Sequence, residues 1–227
     1  MLILYFIVVA AIQLILFFVM FRLWRKSGTI YPIFPLIVIA GIIYDNSIIG
    51  FGAFIGEGEL LKWLNVPRFV IHAFFTPLIM IFGFGVARRA GVGFAQSRNW
   101  HIGICVFTTL MVLLGIYEEL FKMNLVPIAE DGTLRYKNDP SSPPIPAIAT
   151  IIVAMILGVF VWIKTKKPWY FLGSLGMFIF APMAAKFVWA GNLGEIFMNL
   201  GGISGEKTAQ EIRLIKNRVS SPPVRKG

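Results

Sequence analysis

Cysteine and histidine are scarce in this chain of 227 residues. It contains one cysteine, Cys105, and two histidines, His72 and His101. A single cysteine excludes an internal disulfide and a cysteine-rich metal site. The sequence also lacks HExxH, GxSxG and P-loop motifs, histidine-rich boxes and paired aspartates of the DxxxD type. The enzyme classes that those motifs identify are therefore not indicated, and no metal site is predicted.

Charged residues are also few. They make up 14% of the chain, whereas 57% of the residues are hydrophobic and the mean hydropathy is +0.78. A soluble domain of this size would need more charge to cover its surface. The apolar residues fall in blocks of about 18–23, the length that crosses a hydrocarbon core of about 30 Å at 1.5 Å per residue. The sequence therefore predicts an all-α, polytopic transmembrane helix bundle.

Six apolar blocks are long enough to be spans, and the connector at 120–145 is the longest between them. The spans are predicted at residues 2–21, 32–55, 69–87, 101–119, 146–163 and 169–190. A segment at 188–203 is short and glycine-rich and contains Asn192, Glu195 and Asn199, so we expect an interfacial or re-entrant helix there. The transmembrane domain is thus predicted at residues 1–203, followed by a basic, disordered tail at 204–227.

Acidic residues are absent from the connectors after the first, third and fifth spans. These connectors hold Arg22, Arg25, Lys26, Arg88, Arg89, Arg98, Lys164, Lys166 and Lys167. Short loops rich in Lys and Arg stay in the cytoplasm, so we expect the N-terminus outside. Six spans would then place the basic tail outside, which conflicts with the same rule. The simple short loops and the absence of a transit-peptide pattern fit a prokaryotic plasma membrane.

The net charge of +10 could also indicate a nucleic-acid-binding protein. However, the basic residues flank apolar blocks, and membrane topology explains that placement better. We therefore expect membrane lipids and a hydrophobic small molecule as partners, and no nucleic acid. Oligomerisation is left open by the sequence.

Ionisable residues inside the predicted spans are the main functional signal. Each costs at least about 2.5–3.5 kcal/mol on insertion scales and needs a partner or a role. Helical rise places Asp45, His72 and Lys186 in the outer half of the bilayer, on three different helices. We predict a pocket in which these three are catalytic, with substrate-binding residues Tyr44, Asn46, Thr76, Glu118 and Glu119.

Three functions are compatible with such a pocket. The first is a membrane-embedded enzyme for an amphipathic or isoprenoid-like lipid, with Asp45 as general base, His72 as proton donor and Lys186 holding an anionic or carbonyl group. The second is a small-solute or ion transporter that couples through Asp45 and Lys186. The third is a non-catalytic or pigment-binding subunit, in which an Asp45–Lys186 ion pair only orders the helices. The sequence does not identify a cofactor.

Overall fold

The computed structural model describes residues 2–140 and 143–220, with side chains as far as Lys216. These residues form a bundle of eight α-helices and one small two-stranded sheet. The helices are α1 (Leu2–Ser27), α2 (Ile33–Ile55), α3 (Glu59–Phe75), α4 (Ile79–Arg89), α5 (Arg98–Ile116), α6 (Ile145–Thr165), α7 (Trp169–Met183) and α8 (Val188–Ser220), and the strands are β1 (Leu125–Glu130) and β2 (Thr133–Asn138). The prediction of an all-α helix bundle is confirmed.

Five helical segments are long and apolar enough to cross a membrane, and they correspond to the first five predicted spans. The sixth, α7, is a shorter apolar helix. The third segment, Glu59–Arg89, is broken by a 3-10 turn at Thr76–Leu78, where Pro77 lacks the backbone donor that an α-helix needs. This break separates α3 from α4. It lies next to two of the predicted site residues, His72 and Thr76.

The structure differs from the prediction in its C-terminal part. In place of a short interfacial or re-entrant helix, α8 is a single helix of 33 residues. Residues 204–220, predicted to be disordered, belong to this helix, and residues 221–227 lie outside the described part. α7 and α8 form a tight antiparallel pair, because a Cβ atom at Gly173 would come within 2.5 Å of the Gly201 Cα atom. Small residues permit this close approach.

α8 crosses the bundle beside α1 and in the same direction. At one end the Tyr5 hydroxyl donates to the Trp189 carbonyl oxygen (2.7 Å), and at the other the Gln210 side chain donates to the Leu23 carbonyl oxygen (2.8 Å). These two levels are separated on α8 by about 30 Å at 1.5 Å per residue, which is the thickness of a bilayer core. α8 therefore runs along the length of the bundle, and it returns the chain to the end where α1 finishes.

The two ends of the bundle can now be distinguished. We call one the basic end, since it holds the C-terminal turns of α1 and α4 and the side chain of Arg213, which donates to the Ser27 carbonyl oxygen. The opposite end is the hairpin end. There β1 and β2 pair as an antiparallel hairpin, within the connector that the sequence presented only as a long loop. The hairpin packs so closely on α2 that a Cβ atom at Gly52 would overlap the Leu134 carbonyl oxygen.

The apolar core lies among α1, α2, α4, α6 and α8, and includes Met20, Ile39, Phe82, Leu157 and Ile203. α5 contributes little to it. Only 11% of the most apolar stretch of α5 is buried inside the protein, compared with 56% for α2. α5 therefore stands at the periphery of the bundle and exposes most of its apolar surface.

Candidate functional site

Asp45 is buried, with 6% of its surface exposed, and its partner is Arg68. The Arg68 Nε atom donates to Asp45 Oδ1, while Nη1 donates to Asn65 Oδ1 (2.5 Å) and to the Tyr136 carbonyl oxygen (3.3 Å). One guanidinium thus joins α2, α3 and β2. One of the alternatives from the sequence was an ion pair between Asp45 and Lys186, and in the structure Arg68, just before the third predicted span, is the partner of Asp45.

Tyr44 belongs to the same structural cluster. Its hydroxyl donates to the Leu64 carbonyl oxygen (2.8 Å), which fixes α2 against α3. Asn65 lies one turn before Arg68 and also accepts from the Tyr136 backbone amide (3.2 Å). Tyr44 and Asp45, predicted as site residues, therefore hold the hairpin end of the bundle together.

Lys186 is not brought to this cluster. It lies in an exposed turn between α7 and α8, with its Nζ atom 5.4 Å from the centre of the Phe187 ring. Among the described residues it has no ion pair with a carboxylate. The predicted span ended at residue 190, whereas α7 ends at Met183, so Lys186 leaves the helix on which the sequence placed it.

Asn46 points in another direction, into the contact between α2 and α8. Its Nδ2 atom donates to the Ile42 carbonyl oxygen (2.9 Å), and its Oδ1 atom accepts from Asn192 Nδ2 (3.0 Å). Further along α8, Asn199 Nδ2 donates to Gln13 Oε1 of α1 (2.8 Å). α8 thus turns a polar face inward, at the helical spacing 192, 195 and 199.

A cavity of about 120 Å³ lies between the Asn46–Asn192 and Gln13–Asn199 hydrogen bonds, and we call it the central cavity. Its polar lining comes from His72, Thr76, Thr150, Glu195 and Asn199. Its apolar lining comes from α2, α3, α4, α6, α7 and α8, namely Val38, Ile42, Ile71, Ile79, Ala147, Ile151, Met177 and Met198. A mainly apolar cavity with a few converging polar groups is typical of a small-molecule site.

Glu195 is the functional candidate that the sequence missed. Its Oε2 atom is buried and has no hydrogen-bond partner in the described part of the protein, and the carboxyl group interacts electrostatically with Asp45 and Arg68. An unpaired carboxyl oxygen is expensive to bury. A signal is present in the sequence, since Asn192, Glu195 and Asn199 share one helical face, but in a short glycine-rich segment polar residues argue against a span.

A second cavity, of about 130 Å³, adjoins the first at the hairpin end, and we call it the hairpin-end cavity. His72, Thr76 and Ala147 line both cavities and therefore form the boundary between them. The other lining residues of the hairpin-end cavity are Ala73, Gly115, Glu118, Glu119, Pro143, Pro144 and Pro146. The structure thus brings together His72, Thr76, Glu118 and Glu119 from the predicted set, and places Tyr44, Asp45, Asn46 and Lys186 elsewhere.

The geometry at this boundary centres on His72. Its Nδ1 atom lies 3.4 Å from the Thr76 hydroxyl, one turn further along the chain, and the residue is exposed. Glu118 lies in a π-helical turn, Tyr117–Phe121, and pairs with Lys122 (2.9 Å). The His72 imidazole and the buried carboxyl group of Glu195 line the central cavity, and such a pair can exchange protons with a bound molecule. Among the described residues, no group of three or more metal-ligating side chains is placed to hold a metal ion.

A third polar cluster lies at the basic end and was not predicted. Arg89 forms two parallel bonds to Glu206, from Nη1 to Oε1 (2.8 Å) and from Nη2 to Oε2 (2.6 Å). Glu206 is completely buried, and Gln210 also donates to its Oε1 atom (2.8 Å). This pair closes α8 on α4 below the central cavity.

Fold and cavities define the class of protein: a polytopic α-helical membrane protein with a mainly apolar cavity between its helices, into which a few polar groups converge. Comparison with known proteins does not narrow this class, since no model of a known protein family matches the chain and no curated protein matches it significantly.

Proposed function

We propose that the protein is a membrane-embedded enzyme that carries out acid–base chemistry on the polar group of an amphipathic, isoprenoid-like lipid. The observation that carries this proposal is the unpaired Oε2 atom of Glu195, buried in the wall of a cavity that His72 also lines. A buried carboxyl oxygen without a hydrogen-bond partner indicates a place where a ligand or a proton can bind.

The roles of the residues follow from their positions. Glu195 acts as the general base, a role that the sequence had given to Asp45, because Asp45 is already paired with Arg68. His72 acts as the proton donor, and Thr76 orients its ring through the Nδ1 atom. The branched apolar walls around these groups suit a short isoprenoid segment better than a bulky polar solute.

Access to the central cavity is proposed from the hairpin end. His72 stands between the two cavities, and Glu118 and Glu119 give the hairpin-end cavity a polar wall. We place this end outside the cell membrane, since Arg25, Lys26, Arg88, Arg89 and Arg213 all lie at the other end. The path of α8 supports that orientation, because it removes the conflict that six spans created for the basic tail.

An enzyme with access from one side explains the bundle better than a transporter does. Below the central cavity, α8 is joined to α1 by the Asn199–Gln13 bond and to α4 by the Arg89–Glu206 pair. A transporter would need a route through these contacts to the basic end. A non-catalytic subunit would have no use for the unpaired carboxyl group of Glu195.

The test is turnover by the purified full chain in lipid nanodiscs. Polar lipid extract and the isoprenoid alcohols farnesol and geranylgeraniol are added as probes, and new lipid species are followed by mass spectrometry. We expect a time-dependent product with the wild type, a loss of at least about 100-fold in Glu195→Gln and His72→Gln, and wild-type rates in Glu57→Gln, an exposed carboxylate outside the cavities. Absence of any product, or equal rates in Glu195→Gln and wild type, would refute the proposal.

A further inference from the structure

A large apolar groove lies on the periphery of the bundle, between α5 and α6. It has a volume of about 540 Å³, within the range of ligand sites, and we call it the α5–α6 groove. Its lining contains no charged residue: Phe84, Phe94, Trp100, Gly103, Ile104, Phe107, Val153, Ile156, Leu157 and Phe160. It shares no lining residue with either polar cavity, so it is independent of the proposed catalytic site.

The groove begins at the basic end. Trp100, 59% exposed, stands near the start of α5, and the groove extends along that helix as far as Phe107, about 10 Å at 1.5 Å per residue. Tryptophan favours the level of the lipid headgroups. A groove that starts at this level and descends about 10 Å stays within one leaflet of a core about 30 Å thick, and it can hold part of an acyl chain.

Unpaired positive charge lies at the mouth of the groove. Arg88 Nη1 is 3.3 Å from His101 Nδ1, and the His101 ring stacks on Phe84, a lining residue (5.5 Å between ring centres). Arg98 is exposed and two residues before Trp100. In the described part of the chain neither arginine has a carboxylate partner, whereas the neighbouring Arg89 is paired with Glu206.

We propose that the α5–α6 groove binds one anionic phospholipid, with an acyl chain along the groove and the headgroup phosphate between Arg88 and Arg98. Charge decides between this occupant and a second copy of the chain. A second copy in the same orientation would bring another Arg88 and Arg98 to the same level, and the net charge of +10 would make the two copies repel each other. An anionic headgroup supplies the missing charge and an acyl chain covers the apolar walls.

The experiment is a lipid titration of the delipidated full chain in detergent, followed by native mass spectrometry. The probes are phosphatidylglycerol and phosphatidylcholine with identical acyl chains. We expect the first phosphatidylglycerol to bind at least about tenfold more tightly than phosphatidylcholine. The double variant Arg88→Gln/Arg98→Gln should lose this preference, and the matched variant Arg25→Gln/Lys26→Gln, with the same charge loss at the same end, should keep it.

A groove-filling variant tests the acyl chain separately. A Cβ atom at Gly103 meets nothing within 4 Å, so a side chain at this position starts in open space, and Gly103→Leu should narrow the groove. We expect it to weaken binding of both lipids by about tenfold or more, with unchanged helical content by circular dichroism. The proposal is overturned if the two double variants bind phosphatidylglycerol alike, if Gly103→Leu binds like wild type, or if the wild type is a dimer that Gly103→Leu dissociates.

Discussion

Replacing Glu206 by Gln removes one charge from the buried pair that joins α8 to α4. The shape of the side chain is kept, but the Arg89 guanidinium, whose side chain is 11% exposed, then faces a neutral amide. Two charge-assisted bonds of 2.8 and 2.6 Å are weakened together. Breaking a buried pair by changing one partner costs about 3–5 kcal/mol, and we expect this loss in the free energy of unfolding.

The assay is reversible unfolding in mixed micelles by sodium dodecyl sulfate, followed by circular dichroism. Glu211→Gln is the matched control, since its pair with Lys167 is about half exposed, at 55% and 46%, and should contribute less than about 1 kcal/mol. The double variant Arg89→Met/Glu206→Gln should recover much of the loss, because no uncompensated charge remains. Equal stabilities of Glu206→Gln and Glu211→Gln would refute the reasoning and, with it, the inward packing of this part of α8.

Two further predictions address topology and the Asp45 pair. In a cysteine-free background, Lys26→Cys and Lys216→Cys should react with a membrane-impermeant thiol reagent only from the cytoplasm. Glu57→Cys should react only from outside. Labelling of Lys26→Cys and Lys216→Cys from opposite sides would contradict a crossing of the membrane by α8. Arg68→Gln should lower the free energy of unfolding by about 3–5 kcal/mol by leaving Asp45 buried without its partner, and Asp45→Asn/Arg68→Gln should recover part of this loss. If that double variant keeps the turnover of the wild type, Asp45 only positions the helices; loss of turnover in a stably folded double variant would instead assign Asp45 a catalytic role.

The positions of the apolar helices were the part of the fold that the sequence predicted best. A run of about 20 apolar residues must cross the bilayer or be buried, whatever its neighbours are, so the first five spans could be located from hydropathy alone. Pro77 could likewise be identified as a helix break, because proline removes a donor in any helix. His72 and Thr76 could be placed on one face by their spacing of four residues.

Pairings between helices could not be obtained in the same way. The sequence offered Lys186 as a possible partner for Asp45, and only the positions of α3 and the hairpin decide that Arg68 is the partner. Glu118 and Glu119 reach the same cavity as His72 because Gly115 allows α5 to approach Ala73 closely, a contact between two distant segments. The partner of a charged residue depends on how two helices pack against each other, whereas hydropathy is a property of a single segment.

By itself, the sequence determined that this protein is a membrane bundle, where its apolar helices lie, and which of its connectors are basic. Only the tertiary structure decided the path of α8 and the position of Glu195 in the wall of the central cavity. In isolation, the polar residues of α8 make it a poor membrane helix. Inside the bundle they face α1, α2 and α4, where Asn192, Asn199 and Glu206 find partners and the Oε2 atom of Glu195 does not. A polar residue is costly in lipid and stable beside a complementary group, so its position depends on the neighbouring helices as much as on its own segment.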